Sequence, residues 1–76
     1  MLSDISRIRN KVRQVLETMH GSWNVWEIVI ESVKRENGNF RIEGLFSEAW
    51  LGEADVPFTI VLDENNNVVE ATIEEE

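Results

Sequence analysis

Cysteine is absent from the chain and histidine appears once, at His20. Without cysteine there can be no disulfide framework, no thiolate metal site and no thiol nucleophile, which fits a reducing compartment. A single histidine leaves no nucleophile–base–orienter set, and its simplest role at a helix C-terminus is to favour the last carbonyls. No apolar run is long enough for a membrane span or the core of a signal peptide, so a soluble, cytoplasmic protein with no membrane partner is expected. The four glycines, at 21, 38, 44 and 52, are scattered as turn and strand punctuation, and no glycine-rich phosphate loop exists. Basic residues are also scarce, seven against fifteen acidic ones, for a net charge of −8. The imbalance is uneven: residues 1–20 hold four basic and two acidic residues, residues 21–76 three and thirteen. An acidic body repels phosphate backbones, so no nucleic-acid partner is expected. The basic flank of the N-terminal segment reads as a solvated face whose long side chains lie over the rim of an acidic sheet.

Seventy-six residues leave room for one core, so residues 1–76 are expected to form one domain. At this length folding buries only about 60% of the surface the unfolded chain exposes. One helix is clear. Ile5, Ile8, Val12, Val15, Leu16 and Met19 recur at offsets of three, four and seven, drawing one apolar stripe from about residue 3 to residue 20. Ser3 is placed to cap its start, and Gly21 after His20 to end it, because glycine takes a left-handed C′ conformation at little steric cost.

Beyond Gly21 the period changes from 3.6 to two. Strands are expected at about 23–35, 40–47, 56–63 and 68–74. The first two are joined through Glu36-Asn37-Gly38-Asn39, a strong turn signal. A two-residue Asn37-Gly38 loop would set Val33 opposite Ile42 and send the best apolar rows of the two strands to opposite faces. A three-residue loop, Glu36-Asn37-Gly38, pairs Lys34 with Phe40 and Ile28 with Phe46, and burial favours it. Glu64-Asn65-Asn66-Asn67 is a second turn, across which Leu62 faces Val69, Ile60 faces Ala71 and Phe58 faces Ile73. Pro57 suits the start of a strand or an edge position. Within Glu48–Asp55, Ala49-Trp50-Leu51 is apolar and Gly52-Glu53-Ala54-Asp55 reads as a loop, and Glu74-Glu75-Glu76 reads as a charged tail that frays. The expected fold is α+β, an N-terminal helix on one face of a four-stranded antiparallel meander (α-β-β-β-β). Its core is the helix stripe with Trp26, Ile28, Ile30, Ile42, Phe46, Phe58, Ile60, Leu62, Val69, Ala71 and Ile73.

Few residues invite chemistry. Asp63, Asn65, Asn67 and Glu74 occupy positions one, three, five and twelve of a calcium loop. Yet Val68 stands where that loop needs glycine, and the flanks read as strands rather than helices. Asp and Asn are equally what a tight turn requires. Glu27, Glu31 and Glu43 share a face opposite the expected core and read as a solvated sheet face. No catalytic, cofactor or metal residues are assigned, and the chain is not expected to be an enzyme.

The order helix, strands, long connection, then a Leu62-Asp63-Glu64-Asn65-Asn66-Asn67-Val68-Val69 hairpin is similar in layout to two small α+β families, the PepSY-like domains and the gas-vesicle accessory protein O family. The likeness covers residues 38–73 and lies in strand and turn spacing. The basic, aromatic C-terminal end of the second family is replaced here by acidic residues, and no residue roles carry over.

What remains is an expectation of contact. In the favoured register Val25, Val29, Val33, Leu45, Val61 and Val68 fall on the uncovered sheet face, rimmed by Glu27, Glu31, Arg41 and Glu43. Trp50 and Leu51 either close the core's end or anchor a partner. The reading is a non-catalytic protein-interaction or self-association module, with a protein partner or a homodimer. The alternative is a small-ligand or divalent-cation-binding domain with a pocket between the helix end and Trp23, Trp50 and Leu51.

Overall fold

The computed structural model describes residues 2–74. Helix α1 (Leu2–His20) leads through a 3₁₀ turn (Ser22–Asn24) to strands β1 (Ile28–Glu36), β2 (Asn39–Phe46), β3 (Val56–Leu62) and β4 (Val68–Ile73). The strands make one antiparallel sheet in the order β1-β2-β3-β4, giving the expected α-β-β-β-β arrangement. Ser3 already lies inside α1 and so does not precede its first turn. The side chain of Ile5 and the tail residues Glu75 and Glu76 lie outside the described residues. At the other end the helix stops as expected: Gly21 has φ 93, and its N–H reaches back to Glu17 O at 2.9 Å.

Val12, Val15 and Leu16 carry the helix stripe into a core with Ile28, Ile42, Phe46, Phe58, Ile60 and Leu62. Ile8, Ile30, Ala71 and Ile73 pack half-buried at its margin. Four expectations about the core fail, each for a local reason: Val69, expected inside, is exposed at the second hairpin described below, and three fail at the end of the helix and the start of the sheet. Met19 is exposed, because it lies in the last turn beside Val68 and Ala71 of an edge strand, where no further strand covers it. Trp26 is only half-buried. Val25, expected on the outer face, is 2% exposed and belongs to the core. Strand periodicity does not hold over residues 23–27, because this segment turns at Ser22–Asn24 and then runs beneath the helix. There the Arg13 guanidinium donates to the Val25 and Trp26 carbonyls at 3.4 and 2.9 Å, and Arg9 donates to the Ile28 carbonyl at 3.1 Å. The basic flank of the helix thus satisfies backbone acceptors of the segment leading into the first strand and of that strand's first residue, where no neighbouring strand supplies donors.

The first hairpin meets both of the demands that seemed to exclude each other. Its loop is the two-residue Asn37-Gly38, with φ 53 and 82, the left-handed pair of a type I′ turn. Near the turn the pairing is accordingly Arg35 with Phe40 and Val33 with Ile42, against the expected three-residue loop. Farther away Ile28 faces Phe46, as burial requires. The one-residue difference is absorbed by a β-bulge at Glu31, between Ile30 and Ser32. The second hairpin repeats the device. Asn66 N–H donates to Asp63 O at 3.0 Å, Asp63 N–H donates to Asn67 O at 2.9 Å, and Asn66 takes φ 68. This is a type I turn closed by a left-handed residue, so the loop is one residue shorter than expected. Leu62 therefore faces Val68 rather than Val69, and a bulge at Val69 restores Ile60 opposite Ala71 and Phe58 opposite Ile73. Val69 is left exposed.

Gly44 permits the first bulge. A Cβ there would collide with the Val29 carbonyl oxygen and would lie 3.1 Å from Ile30 Cα and 3.0 Å from Phe58 Cζ. The bulging backbone of β1 and the Phe58 ring thus share the space an ordinary side chain would fill. Replacing Gly44 with Ala is expected to destabilise the fold by about 1–3 kcal/mol through overpacking against backbone that cannot yield. Urea unfolding of Gly44→Ala against the parent checks this, and an unchanged midpoint would show that the bulge is not constrained by Gly44.

Candidate functional site

The chemistry-bearing possibilities divide among the asparagine turn, the outer sheet face and the end of the molecule where the tryptophans lie. At the asparagine turn, Asp63 Oδ1 accepts from Asn65 N at 2.8 Å and from Asn67 N at 2.9 Å. These two backbone bonds, first that from Asn67, hold the Asp63 carboxyl below its ordinary pKa. They account for the Asp-Asn pattern as turn chemistry. Among the described residues, no group of three or more His, Cys, Asp or Glu is placed to hold a metal ion.

The outer face is less apolar than the sequence implied. Val29, Leu45 and Pro57 lie across neighbouring strands as one row, with Val61 four residues farther along β3. Between them Arg41 Nε donates to Glu43 Oε2 at 3.1 Å and Ser32 Oγ donates to Glu43 Oε1 at 3.3 Å. The Arg41 bond is the main reason the Glu43 carboxyl titrates below its usual range and the Arg41 guanidinium above its own. Thr59 and Thr72 continue this polar row across the sheet. Of the other residues expected on this face, Val25 is in the core, while Val33 and Val68 face the helix side as partners of Ile42 and Leu62. Both bulges reverse the phase of the residues nearest the turns, which places Val33 and Val68 there.

The third region collects what the outer face lacks. After α1, Asn24 Nδ2 donates to His20 O at 3.1 Å and Asn24 N to Gly21 O at 3.0 Å, fixing the 3₁₀ turn. Trp26 Nε1 donates to Trp23 O at 2.8 Å, and the two indoles lie 6.3 Å apart at 53°. Trp23 is 80% exposed. Opposite, Trp26 N donates to Ser47 O at 2.9 Å and Ser47 N to Glu27 O at 2.8 Å, which prolongs the β1–β2 pairing to the start of the next loop. There the buried Ser47 hydroxyl donates to Ala49 O at 2.5 Å and accepts from Ala49 N at 3.3 Å. Gly52 N donates to Ala49 O at 2.9 Å, closing a β-turn with Trp50 and Leu51 at its tip. Leu51 has φ 66, at the position where a turn of this kind prefers glycine or asparagine. His20 Nε2 lies 2.6 Å from Glu48 Oε2, and its ring stands edge-on to Phe46 at 5.3 Å, which ties the loop's start to the end of the helix.

Trp50 and Leu51 do not close the core: they are 72% and 86% exposed. Between this loop and α1 runs an open groove of about 480 Å³ lined by Arg9, Arg13, Trp26, Ser47, Trp50 and Leu51. It shares Trp50 and Leu51 with the pocket expected from the sequence, but its helix wall is Arg9 and Arg13 rather than the helix end, and Trp26 stands in it rather than Trp23. Arg9 and Arg13 were not foreseen as part of it; their spacing of four on the basic helix flank was the available signal. No described helix is long and apolar enough to cross a membrane. Comparisons with protein-family models, with curated proteins and with solved structures find no match.

Two outcomes test these assignments. Because the Asp63 carboxyl has a lower pKa folded than unfolded, its contribution is present above the unfolded value and is lost as pH falls through the folded one. Asp63→Asn should therefore be less stable than the parent at neutral pH, and the two should converge in acid; a gap independent of pH would show that the charge contributes nothing. Leu51→Gly should instead stabilise the fold, by roughly 0.5–1 kcal/mol, since it removes a left-handed penalty of about 1–2 kcal/mol and adds the smaller flexibility of glycine. Thermal or urea unfolding reads this, and a destabilised variant would show that Leu51 supports the loop.

Proposed function

We infer that the protein is a small non-catalytic interaction module that docks on another protein through its tryptophan end. The observation that carries this reading is the loop tip, where two large apolar side chains stand in solvent, one on a left-handed backbone, although nothing in the core requires either. Strain of this kind persists when the surrounding structure enforces it, and it concentrates at ligand contacts and switch regions. Tryptophan is among the residues that most often dominate binding energy. Trp23, Trp50 and Leu51 together offer roughly half of the ~800 Å² that one partner contributes to a standard interface.

Docking by side chains is favoured over addition of a strand. Both edge strands, β1 and β4, carry a bulge, and Arg9 reaches the open side of β1 at Ile28. Interrupted, covered edges are how sheets resist pairing with another strand. Self-association through the outer face has less support than the sequence offered, because the Arg41–Glu43–Ser32 network divides its apolar residues. A second reading, a small amphipathic ligand in the groove, is favoured by one observation: its volume of about 480 Å³ lies within the range of small-molecule sites.

A photo-cross-linking residue installed at position 50, at 23 or, as a control, at 72 on the outer face tests the docking surface in the cells that make the protein. Discrete adducts from 50 and 23 but not from 72 are expected. Adducts from 72 alone would move the interface to the outer face, and adducts from none would refute a protein partner.

A further inference from the structure

We propose that the groove beside the tryptophan end takes an extended, acidic segment of the partner in which carboxylate and bulky apolar side chains alternate. The proposal rests on the docking role inferred above and adds the chemistry of what is docked. Its first support is charge. The ionisable lining of the groove is Arg9, Arg13 and Glu27, a net positive lining in a molecule of net charge −8. Glu17 lies 3.8 Å from Arg13 and tempers it without displacing the guanidinium from the groove.

The second support is preorganisation. A guanidinium carries five N–H donors. Arg9 gives one to Ile28 O, and Arg13 gives two to Val25 O and Trp26 O. These bonds fix where both guanidinium groups lie and leave further N–H donors at the groove wall. Part of the side-chain entropy that binding would otherwise remove is therefore already lost on folding.

The third support is spacing. Arg9 and Arg13 stand one helical turn apart on the same face of α1, with their Cβ atoms about 6 Å apart. In an extended segment, residues i and i+2 point to one side at a separation of about 6.8 Å, while residue i+1 points to the other. Two carboxylates at i and i+2 would meet Arg9 and Arg13, and the apolar side chain between them would point away from α1 to the side formed by Trp50 and Leu51.

The test is a titration of the ¹⁵N-labelled full chain with an acetylated, amidated Glu-Leu-Glu-Phe-Glu peptide, and with the same peptide carrying Lys in place of each Glu. The expected result is saturable shifts of the Trp26 and Trp50 indole N–H and the Leu51 amide with the acidic peptide only. That binding should weaken by about two- to fivefold in Arg9→Gln. Arg9→Lys, which retains the charge, should recover part of the loss, and native amide dispersion in the ¹⁵N spectra of both variants shows that the fold is intact. Equal binding of both peptides, lost in Trp50→Ala, would overturn the carboxylate preference and leave the docking end standing. Shifts confined to another face, or none with either peptide, would overturn the acidic segment, and the docking end then stands or falls on the adducts from positions 50 and 23. If the same residues instead shift with protein concentration alone and the mass rises, the occupant is a second copy and the foreign segment is wrong.

Discussion

The close approach of three strands at Gly44 is the contact on which the rest of the sheet depends. The Phe58 ring from β3 and the Val29–Ile30 backbone from β1 both occupy the place of the missing side chain. Because β1 can press in there, it can bulge at Glu31, and because it bulges, one strand can serve two registers. The turn-proximal half follows the Asn37-Gly38 geometry, and the far half follows burial, with Ile28 opposite Phe46. A sheet without this slack would have to give up either the type I′ turn or the continuity of its apolar face. The bulge at Val69 solves the same conflict on the other edge, with Val69 itself left in solvent.

Placing both bulges on edge strands has a second effect. The central strands β2 and β3 stay regular and alternate buried with half-buried or exposed residues over most of their length, while the edges are irregular and poor templates for pairing. The arginines of α1 add to this by donating to the Ile28 carbonyl at the start of the first strand and to the Val25 and Trp26 carbonyls just before it. A basic helix over an acidic sheet is therefore more than complementary surface charge. The same two side chains satisfy backbone acceptors and line the groove, so local stability and recognition are coupled at Arg9 and Arg13.

At the tryptophan end the balance runs the other way. Ser47 is fully buried and bonded to Ala49, and Gly52 is bonded back to Ala49, so the loop is held firmly at its base. Its tip nevertheless places Leu51 on a left-handed backbone in open solvent, an arrangement of local strain without compensating burial. Proteins retain such features where activity outweighs the stability a simpler residue would offer. That is the physical sense in which this end, rather than the flatter outer face, is the functional candidate.

What could be read from the sequence and what could not divide along one line. The helix stripe of Val12, Val15 and Leu16, the strand alternation of Phe58, Ile60 and Leu62, the Gly21 stop and the turn chemistry of Asn37-Gly38 are local patterns, and they determined the helix, the strands and the order α-β-β-β-β. Trp50 and Leu51 were visible as candidates for the same reason, since an apolar pair in a loop is itself a local anomaly. Three matters were decided only by the tertiary structure. Both bulges arise where a turn's preferred loop length disagrees with the burial register several residues away, and no window along the chain contains both demands. Val25 entered the core, and Trp26 the groove wall, because α1 folds back over residues 25–28 and its arginines take their carbonyls. The groove joins Arg9 and Arg13 to Trp50 and Leu51 across some forty residues of sequence, and only the packing of the helix against the sheet brings the cations and the apolar tip to the same place.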